Sequence, residues 1–198
     1  MIYILGDSHA GCTFAGVPGV EAVLVGSFYL QQMGLAHDTS LRESVGRLLL
    51  NPTDVVLFMF GEIDVRKRLK GRIALEGRSV AEILDSNVRA YLAAIESLEL
   101  QGARRGVVSI IPPNRTREDN ATAILPTCSD EERAEYTACL NRLLEAGSAA
   151  HGFIYVDIYA AYKDADGMLP LALSQIGGSH VADITKARAV LISMGLLP

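Results

Sequence analysis

The sequence predicts an α/β fold in which five parallel strands form an open sheet covered by helices on both faces. Three observations predict it. Short apolar, β-branched runs recur along the 198-residue chain at Ile2-Leu5, Ala22-Val25, Val55-Phe60, Val107-Ile111 and Phe153-Val156. Longer segments between them place apolar residues three and four apart, the spacing that lines one face of a helix. Turn formers then mark the junctions, with Asn51-Pro52 before the third strand and Gly102 and Gly106 around the fourth. Strand and helix in alternation indicate repeated βα units, and continuous apolar runs indicate strands buried on both faces.

Each element has its own warrant. Ile2-Leu5 runs into Gly6-Asp7-Ser8-His9, a tight strand-to-helix turn. Helices are expected over Ser40-Leu50, Val80-Leu100, Asp130-Ala150 and Ile184-Met194, and in the longest well-patterned one Ile83, Val88, Leu92 and Ile95 form the inward stripe. Ser129-Asp130-Glu131-Glu132 reads as a helix start, where acidic groups meet the positive end of the helix dipole. Arg66 to Arg78, rich in Lys and Arg, and Pro112 to Cys128, rich in Pro, Asn and Thr, read as irregular. Both follow the carboxyl end of a strand, the edge at which open parallel sheets bind ligands, so both are candidate substrate loops, and 66–78 is a candidate lid. With no repeat, linker or low-complexity tract, residues 1–198 are expected to form a single domain.

Composition narrows the function. With 18 Lys and Arg against 23 Asp and Glu, the net charge is -5 and no basic block is present, which argues against nucleic acid or an anionic membrane surface as partner. A mean hydropathy of +0.24 with 21% charged residues allows a large core and leaves room for a homodimer contact. Cys12, Cys128 and Cys139 form no CxxC or Cys/His spacing, which suggests a reducing compartment. The amino terminus lacks the basic region of a signal peptide, and Val55-Phe60 is too short to span a bilayer, so a cytoplasmic protein is expected. Four scattered His without HxH or HExxH spacing suggest no metal, and the absence of GxGxxG and of a phosphate-binding loop argues against a nucleotide.

Chemistry is expected at Gly6-Asp7-Ser8-His9. A Ser on such a turn projects its hydroxyl from the carboxyl edge of the sheet, but an unaided Ser is too weak an acid to attack an ester and needs a general base. His9 is adjacent and is expected to point elsewhere, while His37 and His151 read as a surface-loop and a helix-terminal residue. His180, in the loop before the last helix, is the candidate base. Glu62, Asp64 and Arg66 alternate in Gly61-Glu62-Ile63-Asp64-Val65-Arg66 and would share one side if the segment were extended. Arg66 would then supply positive charge or bind an anionic substrate group. Lys67, Arg68, Lys70, Arg72 and Arg78 read as a solvated face or a contact for an anionic substrate.

Gly6-Asp7-Ser8 after the first strand, Gly61-Glu62-Ile63-Asp64 after the third and His180 in the last loop resemble the SGNH, or GDSL-type, hydrolase superfamily over nearly the whole chain. The resemblance implies a three-layer α/β/α sandwich with a flavodoxin-like five-stranded parallel sheet. It also implies hydrolysis or transfer of acyl groups from esters without a cofactor, with Ser8 as nucleophile, its amide in the oxyanion hole and His180 as base. Gly26, after the second strand, resembles the family's oxyanion glycine, and Gly61 opens the third block.

Two positions depart from the pattern. Ile63 stands where the family has an Asn that donates to the oxyanion, and Gly177 stands where it has the Asp that orients the imidazole. Asp183, or Asp164 or Asp166, could supply that acid from another angle. The expected function is an esterase that removes O-acyl, chiefly acetyl, groups from a carbohydrate or small polar ester. An acyltransferase of the same fold, a non-catalytic glycan or metabolite-binding protein, and a flavin or nucleotide binder on the same sheet remain alternatives.

Overall fold

The computed structural model describes residues 1–26, 28–33, 39–115, 128–175 and 180–198. Five strands form one sheet: β1 (Ile2–Gly6), β2 (Val20–Leu24), β3 (Val55–Met59), β4 (Arg104–Val108) and β5 (Ile154–Val156). All pair in parallel, in the order β2-β1-β3-β4-β5. The helices are α1 (Ser8–Phe14), α2 (Leu30–Met33), α3 (Ser40–Gly46), α4 (Leu69–Glu76), α5 (Val80–Glu96), α6 (Asp130–Ala150), α7 (Tyr159–Tyr162) and α8 (Thr185–Ser193). A π-helical turn, Asp64–Arg68, leads into α4, and Leu171–Leu173 forms a short 3-10 turn.

Alternation of side chains along the central strands divides the apolar residues between two cores. On one face Leu5, Val56, Phe58 and Val107 meet Ile83, Val88, Tyr91 and Leu92 of α5 and Leu140 and Leu144 of α6. On the other, Ile4, Leu57, Met59 and Val108 meet Phe14 of α1, Tyr162 of α7 and Ala187 and Leu191 of α8. This is the expected three-layer α/β/α arrangement. β3 is buried at every residue, but β2 lies at the sheet edge and is half exposed, so the expectation that every strand is buried on both faces fails there.

Capping fixes the long helices. Ser79 and Ser129 each accept a hydrogen bond from the backbone amide three residues on, while Glu82 and Glu132 accept one from the cap's own amide. Such capping boxes satisfy donors that the first helical turn leaves unpaired.

The expected irregular segment 66–78 is instead helical, in the π-helical turn and α4. Its polar composition hid the helix, because the basic residues pair with other side chains. Arg72 donates to Glu76 one turn on and to Asn87 of α5, Lys70 donates to Glu132 of α6, and the Arg68 guanidinium lies 3.7 Å over the Tyr29 ring. Arg78 donates to Glu76 and to the Glu82 carbonyl. Through these contacts Lys70, Arg72 and Arg78 tie α4 to its neighbours, while Arg68 and Lys70 remain exposed. Most of Pro112 to Cys128 lies outside the described residues, as do His37 and Gly177. No helix among the described residues is long and apolar enough to cross a membrane.

Candidate active site

The order β2-β1-β3 makes the chain leave β1 toward one side of the sheet and return on the other side through β3. A crevice forms at the carboxyl ends of the strands where the winding reverses, and ligands bind there in open α/β sheets. Ser8 follows β1 and Glu62 follows β3, so both sit at that point.

Asp7 is the N-cap of α1, in extended conformation, and its Oδ1 accepts a hydrogen bond from the His9 amide at 2.8 Å. Ser8 then occupies the first helical position with its side chain exposed, and its amide has no protein partner among the described residues. Such a free amide at a helix start attracts negative charge. Across the crevice, Nε2 of His180 lies 2.9 Å from Ser8 Oγ, although 172 residues separate them. A Ser hydroxyl donating to a neutral imidazole nitrogen at this distance has the geometry of a nucleophile and its base.

The His180 backbone is pinned where its carbonyl accepts from the Gln175 amide and Ser174 bridges to Val181. Partial burial, followed by the nearby His9, holds the His180 ring below its ordinary pKa near 6.5, against the opposite pull of Glu62 and Asp7. The shift favours the neutral ring, the form that can accept a proton. Among the described residues no hydrogen bond reaches its Nδ1. Asp183 does not fill that place: its Oδ1 accepts from the Thr185 amide and hydroxyl at 2.8 and 2.6 Å, at the start of α8. Asp164 and Asp166 both receive Arg115.

His9 does not point away from the site, as its position next to Ser8 suggested. Its side chain is only 3% exposed and its ring centroid is 4.7 Å from that of His180. Nδ1 lies 3.2 Å from Asp7 Oδ1 and Nε2 lies 3.6 Å from Glu62 Oε2. Burial lowers the His9 pKa, but the Asp7 hydrogen bond and the charges of Glu62 and Asp7 outweigh it, so the net shift is upward. The sequence signal for this role was Asp7, because an N-cap Asp reaches donors two residues on.

Glu62, Asp64 and Arg66 do not share one side, because the segment is helical rather than extended. Glu62 and Arg66, one turn apart, form a two-pronged ion pair with Nε to Oε1 at 2.5 Å and Nη2 to Oε2 at 3.1 Å. Nη1 of Arg66 has no protein partner among the described residues, and the guanidinium acts electrostatically on His9 and His180. Asp64 is buried, with Oδ2 accepting from the Leu30 amide at 3.0 Å. Ile63 is buried and contributes no polar group.

The two glycines differ in role. Gly61 has φ +120°, and a Cβ there would lie 3.0 Å from Leu140 Cδ2, so it serves the turn and the packing. Gly26, with φ +138°, follows β2, and its amide has no backbone partner among the described residues. Among the described residues no group of three His, Cys, Asp or Glu side chains is placed to hold a metal ion.

The same architecture recurs in solved structures of acyl hydrolases. A GDSL-like lipase from Bacteroides thetaiotaomicron aligns over 98% of this chain and 86% of its own with a TM-score of 0.62 and 13% identity. The chain has the GDSL-type hydrolase fold. Est24, a carbohydrate acetylesterase from Sinorhizobium meliloti, aligns over 98% of this chain and 97% of its own with a TM-score of 0.61 and 14% identity. The aryl esterase of M. smegmatis aligns over 99% of both chains with a TM-score of 0.60 and 16% identity. No protein-family model and no curated protein matches the sequence. At 13–16% identity to these structures, the chain is divergent in sequence among proteins of this fold.

Proposed function

We propose that the protein is a serine-dependent ester hydrolase, and the 2.9 Å contact between Ser8 Oγ and His180 Nε2 is the observation that carries the reading. As Oγ attacks the ester carbonyl carbon, its proton passes to Nε2, and the carbonyl oxygen becomes an oxyanion. The Ser8 and Gly26 amides stabilise that oxygen, with Nη1 of Arg66 as third donor in place of the Asn that Ile63 displaces. Collapse of the intermediate expels the alcohol, which takes the proton from His180 and leaves Ser8 acylated. Water attacks the acyl-enzyme, His180 accepts its proton and returns it to Oγ, and the acid departs.

The substrate class is an O-acyl, chiefly acetyl, ester of a carbohydrate or small polar molecule. Two things support it: the polar groups of Arg66 and His180 beside Ser8, and the likeness of fold to a carbohydrate acetylesterase. Labelling with a fluorophosphonate, mapped by mass spectrometry, tests the nucleophile. Stoichiometric modification of Ser8, lost in Ser8→Ala and strongly slowed in His180→Ala, is expected; an unmodified Ser8 in the folded protein overturns the reading. Acetylated sugars are then expected to be cleaved faster than long-chain aryl esters.

A further inference from the structure

Among the described residues the His180 ring has one hydrogen bond, to Ser8, and no carboxylate on Nδ1. A ring held at one nitrogen can swing about its side-chain torsions, and small displacements of a base are costly, because a misplacement of about 1 Å can cost about 100-fold in rate. Something else must hold the imidazole against Ser8.

The neighbour in the right place is His9, and it is unusually fixed for a residue next to a nucleophile. Asp7 Oδ1 takes both its backbone amide and its Nδ1. Glu62 faces its other nitrogen, and Arg66 clamps Glu62 through both carboxylate oxygens. Nothing in the proposed acyl transfer uses these four buried or half-buried groups as a chain. Resting on the assignment of Ser8 and His180 as nucleophile and base, we propose that His9 is a positioning residue, whose ring, hydrogen-bonded to Asp7 through Nδ1 and facing Glu62 through Nε2, packs beside His180 and holds it against Ser8 in place of an orienting carboxylate.

The arrangement also acts through charge. A protonated His9 balances its two carboxylates, with Arg66 beyond them, whereas a neutral His9 leaves that cluster with one uncompensated negative charge. The proton on His9 is therefore favoured, in line with its upward pKa shift. With the ring centroids 4.7 Å apart, a proton on His9 disfavours a second one on His180. The charged and titratable groups facing His180 are His9 and Asp7 at the start of α1 and Glu62 and Arg66 after β3.

The test is an NMR pH titration of the four histidine rings in the full chain, paired with the pH dependence of Ser8 labelling. The parent protein is compared with His9→Phe, which keeps a ring but no charge, and His9→Gln, which keeps a polar group but no ring. The His180 midpoint is expected below 6.5 in the parent and higher by about half a pH unit or more in both variants. The labelling midpoint should move with it, and His9→Gln should also lower the plateau rate by about 10-fold to 100-fold. His151, remote on α6, serves as the internal control.

An unchanged His180 midpoint in a folded variant overturns the proposal, even if the rate falls, since a merely structural role would leave the titration alone. If His9→Phe does not fold, His9→Gln carries the same comparison. The titration needs no turnover, so the two failures are distinguishable. A shifted His180 in a protein whose Ser8 never labels shows only that the His9 charge acts on His180, and it overturns the positioning role together with the esterase. Efficient labelling with an unmoved His180 overturns the positioning role alone.

Discussion

The carboxylate of Asp64 accepts a hydrogen bond from the backbone amide of Leu30, 3.0 Å away and 34 residues earlier in the chain. The contact ties the start of α2 to the π-helical turn after β3, and so joins two segments that border the crevice. Burial pushes the Asp64 pKa up to about 7, although the Leu30 amide and the charges of Arg72 and Arg68 pull it down.

A carboxyl whose pKa is raised on folding binds its proton more tightly in the native state than in the unfolded chain. Stability therefore falls as pH rises from about 3.8, the ordinary value, to about 7, where the loss is complete. The slope from this one group is on the order of 1 kcal/mol per pH unit. Asp64→Asn retains an acceptor for Leu30 and removes the titration. Urea unfolding across this range should show a flatter pH dependence in the variant; equal slopes in the two proteins would assign the pH dependence to other groups.

The pH profile of acylation has a different origin. His180 must be neutral to take the Ser8 proton, and partial burial and then His9 hold its pKa below 6.5. The rate of fluorophosphonate labelling should rise with pH through a single inflection below that value. His180→Ala should lower the plateau by about 100-fold to 10,000-fold, the usual worth of a general base. An inflection above 7 would show that His180 sits in a more negative environment than these contacts provide.

Much of this was legible from the residues, and the parts that were not have physical reasons. β1 and β3 announce themselves because a strand buried on both faces is a continuous apolar run. β4 starts earlier than its apolar residues suggest, at Arg104, since its first side chains are charged. Arg105 donates to the carbonyls of Ile95, Glu96 and Leu98 and so covers the end of α5. α4 was hidden because only Leu69 and Ile73, one turn apart, pack against the core, while charged residues such as Arg72 and Glu76 fill the rest of the helix. In the site, motif order placed Ser8 and His180 together. The inward turn of His9 was not legible, because adjacency to Ser8 says nothing of side-chain direction until Asp7 is recognised as a helix cap.

Arg66 should matter beyond its ion pair. Replacing it with Ala frees Glu62 beside His9 and removes the donor proposed to stand in for the missing Asn. Loss of one oxyanion donor typically costs about 100-fold to 1,000-fold in kcat. The same change removes a positive charge that lowers the His180 pKa, so the inflection should also move upward. Arg66→Lys, which cannot form the two-pronged contact, should restore part of the pH profile and little of the rate. Unchanged steady-state kinetics for Arg66→Ala on a cleaved ester would exclude Arg66 from the oxyanion site.

The strand end that presents Ser8 tolerates no added volume. A Cβ at Gly6 would lie 2.5 Å from both the Ala10 Cβ and the Met59 carbonyl oxygen, trapped between α1 and β3. The close approach lets the first turn of α1 rest on the sheet and sets the height of Ser8 relative to His180. Gly6→Ala must push the helix outward, since a backbone carbonyl cannot yield as a flexible side chain can. Overpacking of this kind costs about 1–3 kcal/mol. Urea titration should show that loss, and Ser8 labelling should slow more than fold stability alone accounts for, because the displaced hydroxyl no longer meets His180 at 2.9 Å. A stable variant with parental labelling would mean that the α1–sheet contact does not position the nucleophile.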